Sequence, residues 1–380
     1  MTSNSQPIKV GFVGLSTTGG WASLALAPAL LDSSLEAKYN LVAICTTSQA
    51  SAEATSAKYS SLTKRPVKAY YGPSGLASLA NDPEVDLVAV SVRAWRHKEV
   101  VMALIEGGKD LFVEWPVGRN LDETREIAEA VKRKGVKMIV GLQGRMSKIA
   151  IKVKEIIASG AIGKVQYTTY NAMMGTELGY WGPFPKADTK DTLFIENGVR
   201  PITTAGGHLM DTFTHILGDF TSVTATASRI HETHTLIDNN GNPTGETLPS
   251  EMSDHYTFSG RLVGGAHATI MIRAGVKTTP GHKTLQWEIE GSEGLIRMES
   301  DFVLGGVLGG ANPVVYLNGE RIDIEGAPVG PDPISPLVAM WDAYTQGEKG
   351  GYATLDDAIR IKKLTEAVER SAVEGRTVRL

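Results

Sequence analysis

Through the first 145 residues, short β-rich runs alternate with longer segments whose apolar positions recur at helical spacing. Ile8–Gly14 is strand-like and ends in glycine, and Trp21–Leu31 has a helical period. Asn40–Cys45 reads as a second strand, and VDLVAVS within 83–91 as a third. A helix over Glu99–Glu106, a strand over Leu111–Glu114, a charged helix over Leu121–Lys134 and a strand over Lys137–Leu142 follow. Strands that alternate with helices predict βαβ units and a parallel, doubly wound sheet.

The pattern changes near residue 146. A helix over Ile149–Ser159 leads through a glycine turn to a strand over Lys164–Asn171, and a loop with Tyr180, Trp181 and Phe184 follows. After a helix over Gly206–Leu217, longer meandering strands run from Thr221 to Met298, with a turn signal at NNGNPTG (239–245). Trp287–Gly291 and Leu295–Ser300 are strands bounded by glycine or serine. GGVLGGANP (305–313) reads as a surface loop, and Thr354–Glu374 as an amphipathic helix. The expected organisation is a dinucleotide-binding domain over 1–145 and an α+β domain over 146–380 with a large open, mostly antiparallel sheet. The closing helix is able to pack back on the first domain.

Composition narrows the function classes. A chain of 380 residues has room for two domains, and its formal net charge of -4 argues against nucleic acid or an anionic membrane as partner. Cys45 is the only cysteine, so no disulfide forms within the chain, and a reducing, cytoplasmic setting is expected. No apolar run is long enough to span a bilayer, and the polar start MTSNSQP offers no secretory signal.

The sharpest local signal is VGFVGLSTTGGW, residues 10–21. Gly14, Ser16 and Gly19 occupy the three positions of G-x-G-x-x-G, between a strand and a helix, as a Rossmann nucleotide fingerprint requires. Gly14 permits the tight turn, and backbone amides around Leu15, Thr17, Thr18, Gly20 and Trp21 are candidates to hold a pyrophosphate. Serine at the second position pushes the phosphate outward or donates to it. A strand followed by a glycine turn is common, so the motif alone is weak. At the end of the second strand an NAD site usually carries a carboxylate for the ribose 2′-hydroxyl. Here stand Thr46, Thr47 and Ser48, which would not repel a 2′-phosphate, so NADP or NAD is expected.

Several further segments fall in a characteristic order: His97 after the third strand, Glu114-Trp115-Pro116, Arg145, GGHLMDTFTH (206–215), EIEGSEGLIRME (288–299) and a closing helix before SAVEGRTVRL. In this order the chain resembles the Gfo/Idh/MocA oxidoreductases over nearly its whole length. Those proteins pair a Rossmann domain with a large open-sheet domain, and they commonly act on sugars, inositols and related polyols. GFVGL with GGW, LFVEW, LQGRMS (142–147) and Thr203 to Asp211 look like the branch that contains the yeast galactose-regulon repressor. That branch binds NAD(P) and is regarded as a sensor.

The resemblance implies roles for individual residues. His97 and Glu114 would border the cofactor. The family enzymes carry Glu-Lys-Pro where this chain has Glu114, Trp115 and Pro116, so the proton-transfer lysine is absent. Trp115 is then either a packing residue or an aromatic platform against a sugar or nicotinamide. His208, Asp211 and His215 share one helix face by spacing, opposite Leu209, Met210, Phe213, Ile216 and Leu217. The pattern alone reads as a half-buried helix with a solvated polar stripe. The resemblance makes His215 the proton carrier, with Asp211 to orient it, and retention of this histidine favours an enzyme. Arg145, Trp181, His208 and Trp115 join them as substrate-contact candidates. The spacing of His208, Asp211 and His215 permits a metal, but the family uses none there, so no metal is expected.

The expected function is therefore an NAD(P)-dependent oxidoreductase acting on a carbohydrate-like small molecule, working as a homodimer. A non-catalytic NAD(P)-binding regulator and a redox-cycling lyase or glycosidase are the alternatives.

Overall fold

The structure is a computed structural model that describes residues 6–303 and 306–380. It divides into two compact units. One takes the chain up to Gln143 together with Ile334–Ile359, and the other takes Gly144–Pro333 with Arg360–Leu380.

The first unit is built on β1 (Ile8–Val13), β2 (Tyr39–Thr46), β3 (Lys68–Tyr71), β4 (Leu87–Val90), β5 (Asp110–Glu114) and β6 (Met138–Gly141). All are parallel, in the order β3-β2-β1-β4-β5-β6. This is the doubly wound Rossmann order, and its winding reverses between β1 and β4. Leu87 to Val90 are fully buried in an unbroken apolar run, as a central parallel strand covered on both faces requires. The crossovers are a π-helical turn at Ala22–Leu26 running into α1 (Ala27–Leu30), then α2 (Gln49–Thr63), α3 (Gly72–Ala80), α4 (His97–Glu106) and α5 (Leu121–Lys134). A helix at Ser335–Tyr344 belongs to this unit, and its Trp341 stacks on Phe112 at 4.8 Å between ring centroids.

The second unit opens with α6 (Lys148–Ala158), β7 (Val165–Gly175) and α7 (Ala205–Leu217). Strands β8 (Phe220–Ser228), β9 (Thr233–Ile237), β10 (Pro243–Pro249), β11 (His255–Leu262), β12 (His267–Val276), β13 (Leu285–Gly291) and β14 (Leu295–Ser300) follow. The remainder are β15 (Ala311–Asn312), β16 (Val314–Leu317), β17 (Glu320–Ile322), β18 (Gly330–Pro331) and β19 (Val378–Arg379). Nine of them form one mixed, mostly antiparallel sheet in the order β17-β16-β14-β13-β7-β12-β11-β8-β19, with β7 and β12 parallel. Helix α7 lies on this sheet through Phe213, which stacks on Trp287 and on Phe220, each at 5.6 Å between centroids. Trp287 is fully buried, and its indole N–H donates to Thr168 Oγ1 at 3.0 Å, so the core leaves that polar atom satisfied.

The surface loop expected over 305–313 is a correction. Gly305 lies outside the described residues, but Gly306 and Leu308 to Pro313 are buried. Gly306 admits the approach because a side chain there would press on Ala172, and its carbonyl accepts from Tyr170 Oη at 2.8 Å. Glycine content here serves close packing rather than exposure.

Candidate functional site

At the switch between β1 and β4 the glycine turn is held from both sides. Gly14 has φ +94°, and its N–H donates to the Cys45 carbonyl at 3.1 Å. A Cβ on Gly14 would lie 2.3 Å from the Ser91 carbonyl oxygen, so only glycine fits. Leu15 buries its side chain below the turn. Ser16 turns its hydroxyl back to Thr18 Oγ1 at 3.1 Å, and its carbonyl accepts from Ser23 Oγ at 2.6 Å. Gly19 and Gly20 also take positive φ, and the space a Cβ would occupy at either is open. Thr17 to Gly20 are exposed, and among the described residues their amides donate no hydrogen bond. An open row of free amides is what a pyrophosphate needs, so the turn fits the nucleotide.

The end of β2 is partly self-satisfied. Thr46 Oγ1 donates to the Ser48 carbonyl at 3.0 Å, and the Ser48 hydroxyl caps α2 by accepting from the Ser51 N–H at 3.3 Å. Thr46 and Ser48 thus also serve the strand-to-helix turn, while the Thr47 side chain is exposed.

His97 is buried between two backbone carbonyls, with Nδ1 at 2.8 Å from Pro116 O and Nε2 at 3.1 Å from Val92 O. The neutral ring has one N–H to donate, so one of these two carbonyls accepts it, and His97 ties the loops after β4 and β5 together. Burial holds its pKa below the ordinary value. Glu114 closes β5 as a buried carboxyl lying over Gly141, where a Cβ would come 2.7 Å from Oε2. Burial raises its pKa to about 8 against the opposing hydrogen bond from Trp21, and Oε1 has no hydrogen-bond partner. Burial thus favours the neutral form of the Glu114 carboxyl. Trp115 is only 5% exposed, which gives the packing reading its support.

In the second unit the helix face read as a solvated stripe is not one: Asp211 is fully buried. Its two carboxylate oxygens accept from Arg145, Oδ2 from Nε at 3.0 Å and Oδ1 from Nη2, and Arg360 Nη2 lies 3.7 Å from Oδ1. Arg145, expected among the substrate contacts, is thus a buried half of an ion pair. Gly144 makes this possible, because a Cβ there would sit 2.2 Å from Thr212 Oγ1 and push the Arg145 turn off α7. Arg360 also donates to Thr214 Oγ1 and Asp219 Oδ1, each at 2.6 Å. His208 is half-buried, its Nδ1 has no hydrogen-bond partner, and burial pushes its pKa down to about 4. Trp181 is buried beside Tyr180, with its indole N–H unpartnered.

His215 is half-exposed, one turn beyond Asp211, and its Nε2 lies 3.1 Å from Lys154 Nζ on α6. Sequence reasoning missed Lys154. It follows the buried Val153 on an ordinary amphipathic helix, and its partner stands 61 residues away, so no spacing announces the pair. Among the described residues no group of three His, Cys, Asp or Glu side chains is disposed to hold a metal ion, and no helix is long and apolar enough to cross a membrane.

A doubly wound sheet with an open glycine turn, joined to a mixed-sheet unit that carries an imidazole–ammonium pair, defines a nucleotide-binding, two-unit oxidoreductase fold. The chain belongs to the Gfo/Idh/MocA oxidoreductase family. Residues 8–142 match the family described as "Oxidoreductase family, NAD-binding Rossmann fold", and residues 149–300 match "Gal80p, C-terminal domain". The chain is 30% identical to the dehydrogenase aclE of Aspergillus oryzae over 98% of each chain. It is 31% identical to the galactose/lactose metabolism regulatory protein GAL80 of Saccharomyces cerevisiae, over 84% of this chain and 72% of that one. A crystal structure of a super-repressor mutant of Gal80p from the same yeast covers 98% of both chains at 27% identity, with a TM-score of 0.85.

Proposed function

We propose that the protein is an NAD(P)-dependent oxidoreductase acting on a sugar, polyol or related small carbonyl compound, with His215 as the proton carrier. The observation that carries this reading is His215 itself: a half-exposed imidazole whose Nε2 meets Lys154, on a helix held by a buried ion pair. Binding a nucleotide as a signal needs no such group. When bound, the cofactor supplies hydride transfer at the nicotinamide ring. The chain's own part is to hold the pyrophosphate on the amides of Thr17 to Gly20 and to exchange the substrate hydroxyl proton at His215. The absence of a carboxylate at the end of β2, with Thr47 exposed, supports NADP being accepted at least as well as NAD. The reading also carries a cytoplasmic homodimer. Tyr167 and Met271, exposed on one face of the large sheet, support a second copy against it.

A screen of D-glucose, D-galactose, myo-inositol and their oxo forms with both cofactors, followed through reduced-nicotinamide absorbance, tests the reading. Turnover is expected. His215→Asn should keep its thermal stability and cofactor affinity while losing at least about tenfold in rate. Full activity in that variant would end the role given to His215.

A second reading is a non-catalytic NAD(P)-binding regulator. The buried Trp115 at the family's lysine position and the 31% identity to a regulatory protein favour it. It predicts tight cofactor binding with no turnover. A redox-cycling lyase or glycosidase also leaves no net reduced nicotinamide and would instead reveal itself by cleaved product.

A further inference from the structure

The chain has no lysine in the motif where the family enzymes carry theirs, because position 115 is tryptophan. The second unit supplies a cation from a different element. Ser147 caps α6 by accepting from the Ala150 N–H at 3.1 Å, and Ile149, Val153 and Ile156 bury one face of that helix. On the exposed side, Lys152 pairs with Glu155 at 3.4 Å, while Lys154 turns to α7 and meets His215 Nε2 at 3.1 Å.

We propose that Lys154 is the positioning residue for His215: its ammonium donates to Nε2 and holds the imidazole as the neutral tautomer with its proton on Nδ1. This rests on the reading of His215 as proton carrier.

The geometry leaves little choice of roles. A lysine ammonium has three donors and no acceptor, so a hydrogen bond to it makes Nε2 the acceptor. A neutral imidazole with Nε2 bare carries its proton on Nδ1. Proton exchange with a substrate oxygen then runs through Nδ1. The frame around the pair is stiff. His215 lies one turn from Asp211, which Arg145 grips with two hydrogen bonds, and Arg360 ties Thr214 to Asp219. Arg145 is a charged group that acts on Lys154, and Asp211 stands one turn before His215 on α7. Partial burial and the nearby Arg145 lower the pKa of Lys154 from its ordinary value, and the side chain stands at the exposed edge of α6.

The test is long-range ¹H–¹⁵N correlation spectroscopy of the histidine rings in the ¹⁵N-labelled full chain at neutral pH, with no ligand added. His215 is assigned by the signal missing from His215→Asn. The native protein should show His215 with Nδ1 protonated and Nε2 bare. Lys154→Met should convert the ring mainly to the Nε2–H form, and Lys154→Arg, which keeps a charged donor, should restore the native pattern. With any substrate found in the screen above, Lys154→Met should lower kcat at least about tenfold with little change in KM. Nε2–H in the native protein, or a ring unchanged in Lys154→Met, would overturn the proposal. So would a rate lost in His215→Asn but intact in Lys154→Met. A tautomer change with full turnover in both variants would instead leave Lys154's hold on the ring standing and remove His215 as the proton carrier.

Discussion

Between about pH 5 and about pH 9 the protein should lose several kcal/mol of unfolding free energy, and Glu114→Gln should remove most of that loss. The cause is the carboxyl at the end of β5, where burial raises the pKa from the ordinary 4.5 to about 8. In the unfolded chain the same group ionises near its ordinary value. The folded state therefore holds a proton that the unfolded state has released, and stability falls as pH rises. The contribution is fully present below about pH 4.5 and is lost as pH climbs through about 8. At about 1.4 kcal/mol per pKa unit the whole effect is roughly 5 kcal/mol at most. Denaturant titrations at several pH values measure it. Glutamine preserves shape and removes the titration, so its stability should stay nearly flat over this range. An unchanged slope in Glu114→Gln would place the pH dependence elsewhere.

Asp211→Asn should destabilise the protein by about 3–5 kcal/mol, the range for breaking one side of a buried ion pair. The side chains of Arg145 and Asp211 are 5% and 1% exposed. Removing the carboxylate leaves the Arg145 guanidinium buried without its counter-charge and takes away the anion near Arg360. Arg145→Met should cost less, because Asp211 keeps Arg360 at 3.7 Å. The double variant Arg145→Met/Asp211→Leu should recover much of the loss, since a well-packed apolar pair often replaces a buried ion pair without penalty. His215→Asn, on the half-exposed edge of the same helix, should stay within about 1 kcal/mol of the native chain. Thermal and denaturant unfolding of these four variants separates the roles. An Asp211→Asn protein of native stability that had lost only its activity would make Asp211 a chemical partner of His215 rather than the anchor of α7.

The fold was legible wherever apolar contrast was strong. The charged helix at Leu121–Lys134 and the strand at Leu295–Ser300 have the bounds their periodicity predicts. Helix α2 and strand β3 were not foreseen. The α2 sequence is mostly Ala, Ser and Thr, and only Ala52, Thr55 and Tyr59 are buried, so small residues on both faces erase the amphipathic signal. The helix at Ser335–Tyr344 was missed for a different reason: Pro336, Leu337, Met340, Trp341, Ala343 and Tyr344 are all buried, which leaves little polar stripe to read. The site shows the same division. The glycine turn follows from local sequence because its requirement is a backbone requirement, visible at Gly14 itself. Arg145 and Asp211 lie 66 residues apart and Lys154 and His215 lie 61 apart, and the packing of the Gln143–Met146 turn and of α6 against α7 brings them together. Spacing along α7 correctly placed Asp211 and His215 one turn apart, but it could not show that one is sealed into an ion pair while the other faces a lysine.

Isotope transfer tests the central claim most directly. The full chain is incubated with NADPH or NADH deuterated at nicotinamide C4 and the oxo forms of the sugar and polyol panel, and products are read by mass spectrometry. An NAD(P)-dependent oxidoreductase places deuterium on the product carbon from one face of the ring, and His215→Asn slows that transfer at least about tenfold. Cofactor binding without deuterium in any product would contradict the account and favour a nucleotide-binding regulator, or a redox-cycling lyase or glycosidase if cleaved product appears.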